Sequence, residues 1–402
     1  MHRSSPRVVA VLPGLIPSTI ISVVKPLTQL HHAGLISARI CLEDMTHRDL
    51  IGADLVVFCR NTEPKHSFAL DFVLSRNIPY IYDLDDNFFE IKGDSVAARY
   101  HRAPERLALL KRYLIGADLV RVYSDELVVK IREINPRVQK MIGPIDLSLI
   151  PERIVRPDHA RTRLVYATSR SDRDEFETIY VPPIARILKE FPDQIEVHFW
   201  GHMPQELNGH EQVHYHSPIW DYDRFLNEFA KSAYDIGIAP LLDDIFSRSK
   251  SNNKFREYGA CGIAGIYSRV SVYTDCVKDG ETGLLVPNDV EAWYSAIVRL
   301  VEDKQLRERI QRLAKEYVQS NYSQRVFEKV WYEQIRRVLI RSRKTAMVDL
   351  RKEQEQIRGA DPIHLLRVAA HLLAVAGGVR SSNARAMLSV LLMYVRIRLR
   401  VR

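Results

Sequence analysis

Short apolar strands alternate with helix-forming segments along most of this 402-residue chain, and this alternation restricts the folds open to it. A helix between two strands returns the chain to the end of the sheet where the first strand began, so the two strands run in parallel. A helix with Ser18 as its N-cap and a stop at Gly34 is predicted after the first strand. The predicted strands of the first half are Arg7–Leu12, Ala38–Leu42, Asp54–Phe58, Ile78–Tyr82 and Leu119–Tyr123.

The pattern restarts after a charged, proline-containing segment at 151–163, which is typical of a linker. A chain of this length is too long for one hydrophobic core. We therefore predict an α/β protein with two Rossmann-like, doubly wound parallel-sheet domains that face a cleft, at 1–150 and 151–340. The second half predicts strands at Arg163–Ala167, Ile195–Trp200, Ile236–Ala239, Gly265–Tyr267 and Leu284–Val286, and closing helices at Val290–Val301, Leu306–Gln319 and Gln324–Val338.

The net charge of +8 is concentrated in a C-terminal tail at 341–402, which holds 13 Lys and Arg against four Asp and Glu. Because the rest of the chain is close to neutral, its composition argues against a nucleic-acid groove there. Two apolar stretches in the tail, Ile363–Val379 and Ala386–Val395, are interleaved with arginines and contain almost no aromatic residues. This pattern predicts basic amphipathic helices that lie on an anionic membrane surface rather than on RNA. Packing on the body of the protein and binding to a partner protein are the alternatives.

The four cysteines are scattered and form no C-x-x-C pair, which argues against a zinc site or a disulfide framework. No apolar run approaches the ~20 residues of a membrane span. The first residues are polar and lack a signal-peptide pattern. We therefore expect a cytoplasmic protein, peripheral on the inner face of the membrane.

The most specific signal is the stretch Ser251–Leu285, with the sequence SNNKFREYGACGIAGIYSRVSVYTDCVKDGETGLL. A helix carrying Glu257, a turn at Gly262 and a buried strand follow one another here. This stretch resembles the donor-sugar pocket of the group 1, or family 4, glycosyltransferases of bacterial polysaccharide synthesis. These enzymes have the GT-B fold of two facing Rossmann-like domains, in agreement with the predicted architecture.

The resemblance implies a set of donor-binding residues. Glu257 aligns with the second glutamate of the family's E-x7-E motif, which binds ribose. The first glutamate is replaced by Ser249, so the family's contact to the sugar is in doubt here. Nearby cations suit the diphosphate, because Lys provides a point charge and Arg a bidentate fork. These candidates are Arg248, Lys250 and Lys254, and the alternative for them is a solvated basic loop.

Further donor contacts are predicted at the ends of two strands in the second half. The loop after Arg163–Ala167 faces the cleft in the family, so Ser169, Arg170 and Arg173 are candidates for phosphate binding. Ordinary helix capping is the alternative for the serine. Gly201 stands where the family places the base of the nucleotide.

The first half offers fewer signals. Gly14 follows the first strand, where the family has a flexible glycine loop near the phosphate and the acceptor. Asp83, Asp85 and Asp86 follow an apolar strand and resemble a YD-x-DD segment of related enzymes. We expect Asp83 and Asp85 to bind the acceptor, and Asp85 and Asp86 to assist its proton transfer. Metal binding is a rival interpretation, which the resemblance disfavours, and helix capping with solvated charges is another.

Together these patterns predict transfer of a hexose-type sugar from a nucleotide diphosphate sugar to a glycan or lipid-linked acceptor. The resemblance implies retention of configuration, a role in surface polysaccharide or lipopolysaccharide synthesis, and no metal or other cofactor. It identifies no general base. The alternatives are a nucleotide-sugar epimerase of the same fold and a non-catalytic glycan-binding or scaffold protein, which Ser249 keeps open.

Overall fold

The computed structural model describes residues 5–93, 95–152, 161–168 and 174–359. The chain divides into two compact units, Met1–Val338 and Leu339–Arg402. Both sheets lie in the first unit. Of the second unit, the described part is the continuation of the last helix to Gly359. No helix in these ranges is both long enough and apolar enough to cross a membrane.

The first sheet has six parallel strands in the order β2-β1-β3-β4-β5-β6. Its central strands are apolar on both faces because helices cover both sides, as parallel sheets require. We call this sheet and its helices the N-terminal lobe. The strands are β1 Arg7–Leu12, β2 Ser37–Leu42, β3 Leu55–Cys59, β4 Tyr80–Asp83, β5 Leu119–Val122 and β6 Val138–Lys140.

The second sheet repeats this plan in the order β12-β11-β10-β7-β8-β9, again with all strands parallel. This sheet and its helices form the C-terminal lobe, and each lobe has its own hydrophobic core. The strands are β7 Thr162–Ala167, β8 Ile195–Trp200, β9 Val213–His216, β10 Ile236–Ala239, β11 Ala264–Ser268 and β12 Leu284–Val286.

The described ranges contain fourteen α-helices that connect these strands and cover the sheets. Their bounds are α1 Pro17–Thr19, α2 Lys25–His32, α3 Phe68–Ser75, α4 Val96–Arg102, α5 Pro104–Gly116, α6 Asp125–Arg132, α7 Asp174–Glu190, α8 Tyr222–Lys231, α9 Ile245–Arg248, α10 Asn253–Cys261, α11 Ser271–Thr274, α12 Val290–Glu302, α13 Lys304–Asn321 and α14 Gln324–Gly359.

The last helix joins the two lobes. Although α14 follows the C-terminal lobe in sequence, the indole N–H of Trp331 donates to the carbonyl oxygen of Ser22 at 2.8 Å. The guanidinium of Arg121 on β5 lies 3.4 Å from the centroid of the same indole ring. The helix therefore returns to the first half of the chain. It buries Trp331 completely against the N-terminal lobe.

The sequence prediction misses two edge strands and misplaces one helix start. Both β6 and β9 are short strands at sheet edges, with half-buried residues that lack a strong apolar pattern. Ser18 is not an N-cap, because α1 starts at Pro17 with Ile16 at the cap position. Thr19 supplies the polar contacts, since its hydroxyl donates to the carbonyl oxygens of Gly14 and Ile16.

Candidate functional site

A cavity of about 560 Å³ lies between the two lobes, at the carboxyl ends of the strands. Polar loops gather at this edge in parallel sheets, which makes it the usual ligand site of such folds. The N-terminal lobe contributes Ile16, Pro17, Ser18, Ile21, Arg60, Asp85 and Asp86 to the wall. The residues of the C-terminal lobe that the next paragraphs use are Glu177, Trp200, Gly201, His202, Trp220, Tyr222, Lys250, Lys254 and Glu257.

Glu257 lies in the wall of this cavity, on α10, with only 7% of its side chain exposed. Its carboxylate is held from two sides. Lys254, one turn earlier on the helix, places its Nζ 2.7 Å from Oε2, and the Tyr222 hydroxyl donates to Oε1 at 3.4 Å. Burial, together with the charge of Glu257, raises the pKa of Tyr222 well above its usual value, so the phenol stays a donor. These two contacts hold the carboxylate in place in the cavity wall.

The other predicted cations of this segment have different locations. Lys250 lies in the cavity wall, with its Nζ 3.9 Å from a carboxylate oxygen of Asp86 in the opposite lobe. Arg248 is absent from the wall and forms ion pairs with Glu126 at 2.7 Å and Asp243 at 2.8 Å. Its guanidinium is thus used to hold the lobes together, which corrects the prediction of a diphosphate contact.

Asp85 and Asp86 both face the cavity, and a residue that the sequence analysis missed holds them there. The guanidinium of Arg60 forms ion pairs with Asp85 and, at 3.2 Å, with Asp86, and it lies over the ring of Phe88. Burial opposes the charge on Arg60, but the two carboxylates outweigh this effect and raise its pKa. Arg60 has a φ of 60°, an uncommon backbone conformation for a residue with a side chain. Such strained positions are frequent at functional sites.

Asp83 does not line the cavity, contrary to the prediction that it binds the acceptor. Its side chain is fully buried, where it accepts a 2.9 Å hydrogen bond from Tyr123 and pairs with Arg121 at 3.4 Å. Burial raises the pKa of Asp83 to about 6, although Arg121 works in the opposite direction. Its place is inside the N-terminal lobe, beneath the aspartates that reach the cavity.

Of the three glycines predicted to lie at the site, one lines the cavity and two do not. Gly201 lies in the wall and has a φ of 87°, which lets the chain turn sharply at the end of β8. Gly262 is the left-handed C-cap of α10 and is not in the wall, so it positions the helix of Glu257 instead of touching a ligand. Gly14 is also absent from the wall, although its neighbours at 16–18 are present.

The wall also contains a histidine–carboxylate pair that the sequence analysis did not predict as a unit. Nε2 of His202 lies 2.6 Å from Oε1 of Glu177 on α7. The two residues are 25 positions apart, so only the packing of α7 against the end of β8 brings them together. Three further predicted donor contacts, Ser169, Arg170 and Arg173, fall outside the described residues.

Two Rossmann-like lobes with a cavity between their strand ends define the GT-B class of fold. Among solved structures, the chain is similar to sucrose-phosphate synthase from Thermosynechococcus elongatus, at 15% identity and a TM-score of 0.62, covering 83% of this chain and 99% of that one. It is also similar to HepE from Anabaena in complex with UDP and glucose, at 13% identity and a TM-score of 0.58, covering 82% and 99%. A putative UDP-N-acetylglucosamine 2-epimerase from Listeria monocytogenes follows at 13% identity and a TM-score of 0.51, covering 78% and 92%. At such identities, the likeness shows the fold.

Sequence comparison matches one segment of the chain to a family model. Residues 170–303 match the family model described as glycosyl transferases group 1. No curated protein matches the chain. The resemblance predicted from Ser251–Leu285 is therefore confirmed, because the matched segment contains almost all of the C-terminal lobe that faces the cavity. The chain carries a group 1 glycosyltransferase segment on a GT-B fold.

Proposed function

We propose that this protein transfers a hexose-type sugar from a nucleotide diphosphate sugar to a glycan or lipid-linked acceptor, with retention of configuration, in surface polysaccharide synthesis. The observation that carries the proposal is the position of Glu257. Its carboxylate faces an interlobe cavity of about 560 Å³ and is paired with Lys254. The match of residues 170–303 to the group 1 glycosyltransferases supports it. A cavity of this volume suits a nucleotide sugar.

The donor half of the site follows from charge. Glu257 would accept hydrogen bonds from the ribose hydroxyls, since it is the buried carboxylate on the C-terminal wall. Lys250 and Lys254 would offset the charge that develops on the diphosphate as the sugar leaves. HepE, whose structure holds UDP and glucose, supports a UDP-sugar as the first donor to test. No metal is required in this scheme, because both lysines lie on the same wall as Glu257.

The acceptor half lies across the cavity. Asp85 and Asp86 are the carboxylates of the N-terminal wall, and Arg60 fixes their orientation. They would accept hydrogen bonds from a sugar hydroxyl and orient it toward the anomeric carbon. Trp220, on the C-terminal wall of the same cavity and with 80% of its surface exposed, offers an aromatic face for an acceptor ring.

A panel of nucleotide diphosphate sugars tests the proposal, with released nucleoside diphosphate as the measured product. We expect at least one donor to be turned over, and Glu257→Ala to reduce this turnover about 100-fold or more while circular dichroism stays unchanged. Glu228→Ala is the matched control, because Glu228 also pairs with a lysine three residues away but lies on the exposed surface of α8. Full turnover in Glu257→Ala would contradict the proposal, and binding of a donor without turnover would favour a scaffold protein.

A nucleotide-sugar epimerase is the second candidate, and the pair of His202 and Glu177 favours it. Epimerisation needs acid–base groups beside the sugar, and these two residues lie 2.6 Å apart in the wall. The same panel separates the reactions when the acceptor is omitted. An epimerase yields a nucleotide sugar of changed configuration, whereas a transferase without its acceptor slowly passes the sugar to water and yields free sugar and nucleoside diphosphate.

We also propose that the tail at 341–402 binds the inner membrane surface. Its excess of basic residues suits anionic lipid, and each such residue near the surface contributes about 1 kcal/mol. Deletion of residues 341–402 should abolish co-sedimentation with vesicles that contain an anionic lipid and leave donor binding unchanged. Equal vesicle binding by the full and the shortened chain would contradict this role.

A further inference from the structure

A cluster of histidines lies on the outer two strands of the C-terminal sheet, away from the carboxylates of the cavity. Glu196 and His198 are two residues apart on β8, and His214 and His216 are two apart on β9. Side chains two residues apart share one face of a strand. The parallel register pairs His198 with His214, so the four side chains form a compact group on one face.

The distances within this group fit a small cation. The ligand atoms of Glu196, His198 and His214 all lie within 4.8 Å of one another. Oε1 of Glu196 is 3.0 Å from Nε2 of His198, and Oε2 is 3.8 Å from Nε2 of His214. Zinc holds nitrogen and oxygen ligands at about 2.0–2.2 Å, which separates tetrahedral ligands by about 3.4 Å. The distance between Oε2 of Glu196 and His214 is close to this value, and the contact of Oε1 places His198 against the same carboxylate.

The surroundings provide both support and access. His198 is almost fully buried, and its Nδ1 lies 3.0 Å from Nε2 of His216, which can fix the ring orientation and tautomer. His214 keeps 42% of its side chain exposed, so it can rotate toward a cation that arrives from solvent. Among the described residues, this is the only group of three or more His, Cys, Asp and Glu side chains with such spacing.

From this geometry we propose that Glu196, His198 and His214 bind one divalent cation of the zinc type, with solvent as the fourth ligand. Imidazole and carboxylate together suit zinc, cobalt and nickel better than magnesium or calcium. Since β9 is the edge strand of its sheet, the cation would stabilise the attachment of β9 to β8. The site is structural and takes no part in the proposed sugar transfer.

The guanidinium of Arg163 would compete with the cation for the carboxylate of Glu196. Its Nε lies 2.7 Å from Oε1 of Glu196, and its Nη2 lies 3.4 Å from Nε2 of His198. A cation would use the other oxygen of Glu196, which faces His214, so both charges would share one carboxylate. Removal of the guanidinium should therefore tighten metal binding. Arg163→Gln is a direct test of where the cation lies.

Titration calorimetry with ZnCl₂ on the full chain, without an affinity tag, tests the proposal. We expect one equivalent of zinc to bind and to raise the Tm, and we expect His214→Ala and Glu196→Gln each to weaken binding about tenfold or more. His210→Ala is the matched control, because His210 is exposed four residues before His214 and the chain has 14 histidines that could bind zinc weakly.

Three results would overturn the inference. The first is zinc affinity in His214→Ala and Glu196→Gln that matches the control variant. The second is a Tm that zinc does not raise in the unaltered protein. The third is an affinity in Arg163→Gln that is unchanged or weaker in a variant that still folds. Because His214 is half-exposed, its replacement should not prevent folding, so the first result can be read without ambiguity.

Discussion

The side-chain amide of Asn87 donates a hydrogen bond of 3.1 Å to the hydroxyl of Ser249, and both residues are buried where the two lobes meet. The backbone oxygen of Ser249 also accepts a 2.9 Å hydrogen bond from Ser124 of the N-terminal lobe. Ser249 stands where the resembling family has the first glutamate of its motif. In this chain, the position connects the lobes and is absent from the cavity wall.

Replacement of Ser249 by alanine should therefore lower stability. The change leaves the buried amide of Asn87 without its acceptor, which costs about 1–3 kcal/mol. Ser247→Ala is the control, since Ser247 is equally buried but its hydroxyl has no hydrogen-bond partner among the described residues. Urea denaturation of both variants measures the difference. Equal free energies of unfolding would show that the contact between Asn87 and Ser249 contributes nothing.

Arg60 and Asp85 should show strong energetic coupling. Arg60→Gln leaves Asp85 and Asp86 side by side without their shared cation, and loss of one partner of a mostly buried ion pair costs about 3–5 kcal/mol. Asp85→Asn in the same chain should recover part of this loss, because the carboxylate that has lost its ion pair with Arg60 is no longer charged. A double-mutant cycle by chemical denaturation measures the coupling. Additive costs would contradict it.

The ionisation of Asp83 should make stability depend on pH in the acidic range. Burial raises the pKa of this carboxyl from 3.8 to about 6, so the folded state holds a proton that the unfolded state has lost. The contribution of Asp83 to stability is therefore complete below pH 4 and is lost as pH rises through about 6. The rise of the pKa by about two units corresponds to about 3 kcal/mol in the free energy of unfolding.

Asp83→Asn isolates this effect, because the other carboxyl groups titrate equally in both proteins. The free energy of unfolding of the unaltered protein, minus that of Asp83→Asn, should decrease between pH 4 and pH 7. Urea denaturation at several pH values measures it. A difference that is constant, or that increases with pH, would show that Arg121 keeps the carboxylate ionised in the folded state.

Trp331 should be one of the most sensitive positions of the N-terminal lobe, although it lies near the end of the first unit. Trp331→Ala removes a fully buried indole from above the guanidinium of Arg121, and we expect a loss of about 3–5 kcal/mol. Within the described ranges, neither Nη of Arg121 has a hydrogen-bond partner, so the guanidinium relies on the indole and on the 3.4 Å contact of its Nε with Asp83. Glu333→Ala, on the exposed face of α14, should have little effect in the same thermal denaturation experiment.

Much of the fold was predictable from local pattern. The strands β8, β10 and β12 have the bounds that their apolar runs predict, because a buried parallel strand needs side chains that avoid water on both faces. The strands β6 and β9 were missed because their side chains are only half-buried and form no apolar run. Their composition therefore resembles that of a loop.

The site was predictable only in part. Glu257, Lys254 and Lys250 were found because they lie close together in a stretch that resembles a known family, and all three are in the cavity wall. Arg60 was missed because it is a single arginine after a strand, 25 residues from Asp85. No local signal distinguishes it from a surface arginine.

The amino-acid sequence by itself determined the two parallel sheets and the position of Glu257 on a helix before a buried strand. Both follow from apolar periodicity and glycine positions, which act over short distances along the chain. Only the tertiary structure decided which charges meet. It placed Arg248 in ion pairs between the lobes, Asp83 inside the N-terminal lobe and Arg60 beside the aspartates of the cavity. The physical reason is that burial and ion pairing depend on distances in space between residues that are far apart in sequence.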